Sequence, residues 1–299
     1  MTTEIHIDAL LPAEMATRAE YVGSRKAEMP FLGMFALAVL AGAFIALGAI
    51  FATTTLAGGI TIKDAAGEVA YSTGLPYGVN RLLAGLTFCL GLILVVVGGA
   101  ELFTGNNLIV MAWASRKVTS AALLRNWGIV YVGNFVGSIG TALVIFLGKQ
   151  YMFSSGAVGL TALNIAKSKV ELGFLQAIAL GVLCNALVCL AVWMSFSARS
   201  TIDKIACIIF PISAFVAAGF EHSIANMYFI PIGLFIKQYA PESFWQLIGK
   251  VPADYASITW KSFLLNNLLP VTIGNIIGGA VLVAAVYWLV FLRPKRKSA

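Results

Sequence analysis

The chain reads as an all-α integral membrane protein, with six transmembrane helices in two inverted repeats of three and spans two and five broken. Three observations lead there. The first is composition: of 299 residues, 60% are hydrophobic and 11% charged, and mean hydropathy is +0.90. A soluble domain carries about 25% charged residues, so this chain lacks the polar groups to cover itself in water. The second is a series of six apolar stretches, each with the roughly 20 residues needed to cross the hydrocarbon core. The third is a word that occurs twice inside those stretches. Gly99-Ala100-Glu101-Leu102-Phe103-Thr104-Gly105-Asn106 and Gly219-Phe220-Glu221-His222-Ser223-Ile224-Ala225-Asn226 both spell G-x-E-x-x-x-x-N.

The elements follow in chain order. Residues 1–30 hold no apolar segment long enough to span and no signal peptide. Asp8 as cap, Pro12 in the first turn and a stripe of Leu10, Leu11, Met15, Ala19 and Val22 predict an amphipathic helix on the cytoplasmic face. The spans are expected near 31–57, 80–113, 122–148, 173–197, 205–236 and 262–292. The second and fifth are too long and carry the repeated word, so each reads as two half-helices joined by an irregular turn. Such backbone is tolerated at membrane depth only where protein buries it or it lines a cavity. Residues 58–79, rich in Gly and Thr, read as an external loop. The chain thus divides into a helix over 1–30, a channel domain over 31–292 (repeats 31–148 and 173–292) and a basic tail over 293–299.

A second repeat supports the division. Leu123 through Gly137 aligns without gaps on Leu264 through Gly278 at a separation of 141, matching at Leu, Leu, Asn, Val, Gly, Asn and Gly. Phe35…Gly42 is matched more weakly to Phe174…Gly181. Three spans per half is an odd number, so the second half must insert upside down, and paired interruptions in such halves point to a solute site near mid-membrane. Twelve of the twenty Lys and Arg fall on the side of the N-terminus, including Arg293, Lys295, Arg296 and Lys297. That bias places both termini in the cytoplasm and explains the net charge of +7 without nucleic acid. Gly42, Gly48, Gly133, Gly137, Gly274, Gly278 and Gly279 allow close helix approach.

Few residues could carry chemistry. His6 lies in the polar tail. His222 is the sole histidine at membrane depth, where an ionisable group points to function; it would donate hydrogen bonds or a proton to an anion, or else fix the turn. Glu101 and Glu221 are expected to accept backbone N–H groups freed at the breaks, or to act as proton acceptors beside His222. Asn185, Asn275 and Thr104 offer donors to an anion, or tie helices together; Asn134 is the repeat partner of Asn275. Cys89, Cys184, Cys189 and Cys207 show neither zinc spacing nor a disulfide framework. No cofactor, metal or covalent chemistry is called for. A water channel's Asn-Pro-Ala tripeptide is absent, and one intramembrane His cannot pair to hold haem in a redox subunit.

The words G-x-E-L-F-T and G-F-E-H-S-I-A-N-M, with V-T-I-G-N-I-I-G-G in span six, resemble the formate–nitrite transporter family over nearly the whole chain. The segments Asp8 to Ala16 and Cys189 to Ser195 look like its formate branch, whereas Gly105-Asn106 looks like its nitrite branch. The resemblance implies a homopentamer of aquaporin-like protomers, each with its own pore, in a bacterial inner membrane. It implies one apolar constriction at Phe88, Leu92 and Phe215 and another at Leu102 and Phe103, with Val188 lining the pore. It implies a central anion and proton site at His222, Thr104, Asn185 and Asn275, and Lys169 in an external vestibule. The expected function is passage of formate and similar small monovalent anions, passive or proton-coupled, without enzymatic activity; the alternative is a nitrite or hydrosulfide channel of the same family.

Overall fold

A computed structural model describes residues 9–58, 61–63, 69–72 and 74–294. Asp8, His6 and the basic residues 295–297 lie outside the described residues. The first described element is α1, Pro12–Glu28. Its start is set by Pro12, which needs no N–H partner in the first turn, and by Glu14, whose Oε2 accepts the Leu11 N–H at 2.7 Å. Met15 and Ala19 are buried as the stripe requires, but Leu11 is exposed. The inner face is completed by Ala16, Gly23 and Ala27, which pack on Leu108 to Ala112.

Among the described residues, five helices are long and apolar enough to cross a bilayer: α2 Phe31–Leu56, α3 Tyr77–Gly98, α5 Ser120–Leu147, α7 Phe174–Ser195 and α11 Ser262–Phe291. α3 ends at Gly99, and after an irregular stretch a 3₁₀ turn, Gly105–Ile109, leads into the short α4, Val110–Ala114. The stretch expected as span five is two helices of 17 residues, α8 Thr201–Ala217 and α9 Ser223–Tyr239. α11 winds as π-helix over Ser262–Leu268 and Ile277–Ala285; Pro270, with no N–H to give the preceding turn, adjoins the first. Residues 58–79 are not all loop, since β1 Thr61–Lys63 pairs antiparallel with β2 Val69–Ser72. Two further helices precede α7 and α11: α6 Ala157–Val170 and α10 Glu242–Ile248.

The halves repeat in their packing. α2 packs on α3 and α5, and α7 packs correspondingly on α8 and α11. Glycines set how closely: a Cβ on Gly137 would overlap the Val39 carbonyl, and one on Gly278 the Val182 carbonyl. These contacts correct one register. Val39 corresponds to Val182 and Ala43 to Ala186, a separation of 143, so the match of Phe35…Gly42 to Phe174…Gly181 is one helical turn out. Gly42 corresponds to Asn185 instead. The halves are inverted. Tyr131 on α5 and Thr272 on α11 are repeat mates, and their hydroxyls meet at 2.8 Å. Four residues further along α5, the Phe135 ring stacks on Phe263, nine residues earlier on α11. Repeat-equivalent helices thus cross running in opposite directions, and the pseudo-two-fold axis passes between Tyr131 and Thr272.

Candidate functional site

Each break is built the same way. Gly99 at φ +72° and Gly219 at φ +76° end α3 and α8 in the left-handed region, which a side chain would disfavour. The chain then turns inward. The Glu101 N–H donates to the Leu37 carbonyl at 3.2 Å, and the Glu221 N–H to the Leu180 carbonyl at 3.3 Å. One asparagine holds each turn. Asn134 Nδ2 donates to the carbonyls of Ala38 and Glu101, and its Oδ1 accepts from the Phe103 N–H. Asn275 Nδ2 donates to the carbonyls of Gly181 and Glu221, and its Oδ1 accepts from the Ser223 N–H. Both amide hydrogens of Asn275 are spent, so it ties the turn and has no N–H left for an anion. Asn185 is spent likewise, on the carbonyls of Asn275 at 2.7 Å and Thr104 at 3.3 Å.

The carboxylates do not accept freed backbone N–H groups, as the sequence suggests they would. Each instead faces a lysine and an asparagine. Glu101 Oε1 takes Lys26 Nζ and Glu221 Oε1 takes Lys169 Nζ, both at 2.7 Å. Glu101 Oε2 accepts from Asn106 Nδ2 and Glu221 Oε2 from Asn226 Nδ2, again both at 2.7 Å. Asn126 and Asn267 complete the two clusters, each bonded to the neighbouring asparagine and to the carbonyl of its own lysine. Lysine satisfies a buried charge as well as a hydrogen bond, which backbone N–H groups do less completely. Lys169 lies at the end of α6, before α7, and its side chain is 14% exposed. Its ammonium is paired rather than free in solvent.

At the centre, His222 Nδ1 accepts the Ala225 N–H at 3.1 Å and caps α9. A backbone N–H is always a donor, so Nδ1 carries no proton and the neutral ring is protonated at Nε2. Nε2 lies 2.9 Å from Thr104 Oγ1. The Phe215 ring lies against the imidazole and meets Phe88 edge-on.

Two cavities approach this centre from opposite ends. One, of about 250 Å³, is bounded by α1 and includes Lys26, Leu92, Glu101, Leu102 and Lys204. The other, of about 210 Å³, is bounded by α6 and includes Arg81, Phe88, Lys169, Phe215 and His222. Phe88 and Leu92 are one turn apart on α3, about 6 Å along its axis, so a single turn separates the cavities. Thr104, Asn185, Val188 and Asn275 are buried and line neither. Phe103 also lines neither; its ring packs edge-on against Trp127 and Tyr131. Cys89, Cys184 and Cys189 are buried and none of the four cysteines is disulfide-bonded. No cluster among the described residues could hold a metal ion.

Sequence reading missed Lys26, the mirror of Lys169 at a separation of 143, along with Asn106, Asn226 and Arg81 in these roles. Asn126 and Asn267 were visible in the repeat as matched positions, but only the fold brings them to the carboxylates.

A bundle of apolar helices with two facing cavities, divided by a histidine and two broken helices, defines a membrane channel or transporter. Residues 13–289 match the family model for Formate/nitrite transporter, and the chain belongs to that family. It is 44% identical to the formate channel FocA of Escherichia coli (strain K12) over 98% of each chain. It is 37% identical to the formate channel FocB of the same organism, over 99% of this chain and all of that one. Among solved structures it resembles a pentameric formate channel with formate bound, at TM-score 0.80 and 47% identity, covering 88% of this chain and 98% of that one. An FNT family ion channel matches at TM-score 0.73 and 26% identity, over 93% and 98%.

Proposed function

We propose that this protein conducts formate, and less selectively other small monovalent anions, across a bacterial inner membrane as a homopentamer. The chain crosses six times, α8 and α9 together making the fifth crossing. Both termini are cytoplasmic, and α1 borders the inner vestibule. The observation that carries the reading is the His222–Thr104 pair between two cavities, with His222 in the wall of the α6-side one. An anion leaving the α6-side cavity meets Phe88 and Phe215, which strip its water. The Thr104 hydroxyl, which accepts the Nε2–H of His222, then offers its own O–H as the polar contact that replaces it. Leu92 and Leu102 bound the exit.

The tautomer constrains the chemistry. A neutral imidazole donates a hydrogen bond from Nε2 but has no proton of usable acidity to transfer. Transfer requires a second proton on Nδ1, which displaces the Ala225 N–H and uncaps α9. His222 therefore acts first as a hydrogen-bond donor, and hands on a proton only when the α9 cap opens. Formate uptake into proteoliposomes holding the purified protein, against nitrite, hydrosulfide and lactate at pH 5.5 and 7.5, tests the function. Absence of gradient-driven formate uptake at both pH values would refute it.

A further inference from the structure

The α6-side cavity is lined by charged groups from three elements: Arg81 on α3, Lys169 on α6 and Glu221 at the break before α9. His222 is the other titratable group in its wall. Lys169 and Glu221 cancel at 2.7 Å, and Asn226 takes the second carboxylate oxygen. One net positive charge is left among the described residues, on Arg81. Its Nε donates to the Ala217 carbonyl at 3.3 Å and its Nη2 to the Val216 carbonyl. The Ala217 carbonyl is one that the end of α8 leaves without a helical partner, whereas the Val216 carbonyl also accepts the Gly219 N–H at 3.1 Å. They fix the guanidinium against the wall but bear only about half an elementary charge between them, so they do not neutralise it. They also occupy two of its five N–H donors, and the other three have no partner among the described residues.

We propose that Arg81, rather than Lys169, draws the anion into this vestibule. The proposal rests on reading the chain as a formate conductor. A cavity with low-dielectric walls focuses the field of such a charge. At about 8 Å and an effective dielectric of roughly 40–80, one charge enriches a monovalent anion about two- to sixfold. Salt removes the effect, since the screening length falls to about 3 Å at 1 M.

The test is initial formate uptake against formate concentration for the wild type, Arg81→Gln and Arg81→Lys, at low and high concentrations of an impermeant salt. Arg81→Gln should raise the half-saturating formate concentration about threefold at low salt and leave the maximal rate unchanged. The difference should vanish at high salt, and Arg81→Lys should behave as wild type. An unchanged half-saturation in Arg81→Gln overturns the proposal. So does a fall in maximal rate that salt does not alter, which is the mark of a residue that only caps α8. A wild type that carries no formate overturns the transport reading and this proposal together, whereas an active wild type with an indifferent Arg81→Gln overturns this proposal alone.

Discussion

His222 combines two jobs in one ring, and substitution can separate them. Nδ1 caps α9 through Ala225, and Nε2 reaches Thr104. Asparagine is among the best N-cap residues but falls short of Thr104. Glutamine reaches further and donates a hydrogen bond, but does not titrate. His222→Asn should therefore assemble normally and melt within a few degrees of wild type, with formate uptake that no longer changes with pH. His222→Gln should recover more of the flux and still lack the pH dependence. Wild-type pH dependence in either variant would remove His222 from the proton path. The lysine–glutamate pairs yield a different forecast. Lys169→Gln strands Glu221, whose side chain is 5% exposed, and breaking a buried pair typically costs about 3–5 kcal/mol. Thermal stability in detergent should drop sharply in Lys169→Gln and recover in Lys169→Gln with Glu221→Gln. Equal melting of the single and double variants would mean that the pair stabilises nothing.

The elements show which features a sequence can disclose. Gly99 and Gly219 were legible because only glycine sits easily at a positive φ inside an apolar run, and Asn134 and Asn275 because they recur in register. Sequence periodicity sets the pairing of α2 with α7 one turn out of register. Two helices with Phe and Gly seven residues apart present the same face after a shift of four, so periodicity cannot choose between registers. The backbone contacts of Gly137 and Gly278 do choose. α6 went unrecognised because its 14 residues are too short to span, and its match to α1 rests on geometry around Lys26 and Lys169 rather than on matching words. The same contacts predict a mutational contrast within α5. A Cβ on Gly137 overlaps the Val39 carbonyl, whereas a Cβ on Gly140 meets nothing within 4 Å. Gly137→Ala should lower stability by about 1–3 kcal/mol or more and reduce the folded yield. Gly140→Ala should stay within about 1 kcal/mol of wild type. Matching melting temperatures for the two would show that α2 and α5 are not packed backbone to backbone.

At the scale of the whole molecule, composition alone required a bilayer, and the outward faces agree: Phe51, Val144, Leu147, Phe210 and Val290 are large, apolar and at least half exposed. Such surface is suited to contact with lipid tails. What composition could not supply is how thin the partition between the two cavities is. Phe88 lines one cavity and Leu92 the other, with one turn of α3 between them. Phe88 is braced by Phe215 and stacked on Phe229, so shortening Leu92 alone leaves a complete apolar barrier on the far side. Shortening Phe88 alone leaves Leu92 and Leu102. Either single alanine variant should therefore raise leak of lactate and chloride only slightly. In Phe88→Ala with Leu92→Ala the cavities merge, and water enters with the ions. The double variant should exceed the product of the single effects by about fivefold, close to 1 kcal/mol of coupling between adjacent side chains. Its preference for formate should fall at the same time, because an apolar ring selects by size and by the cost of removing water. Lactate and chloride permeabilities of the four proteins in liposomes give the coupling directly. If the double variant merely multiplies the two single effects, Phe88 and Leu92 are separate obstacles and the path between the cavities runs elsewhere.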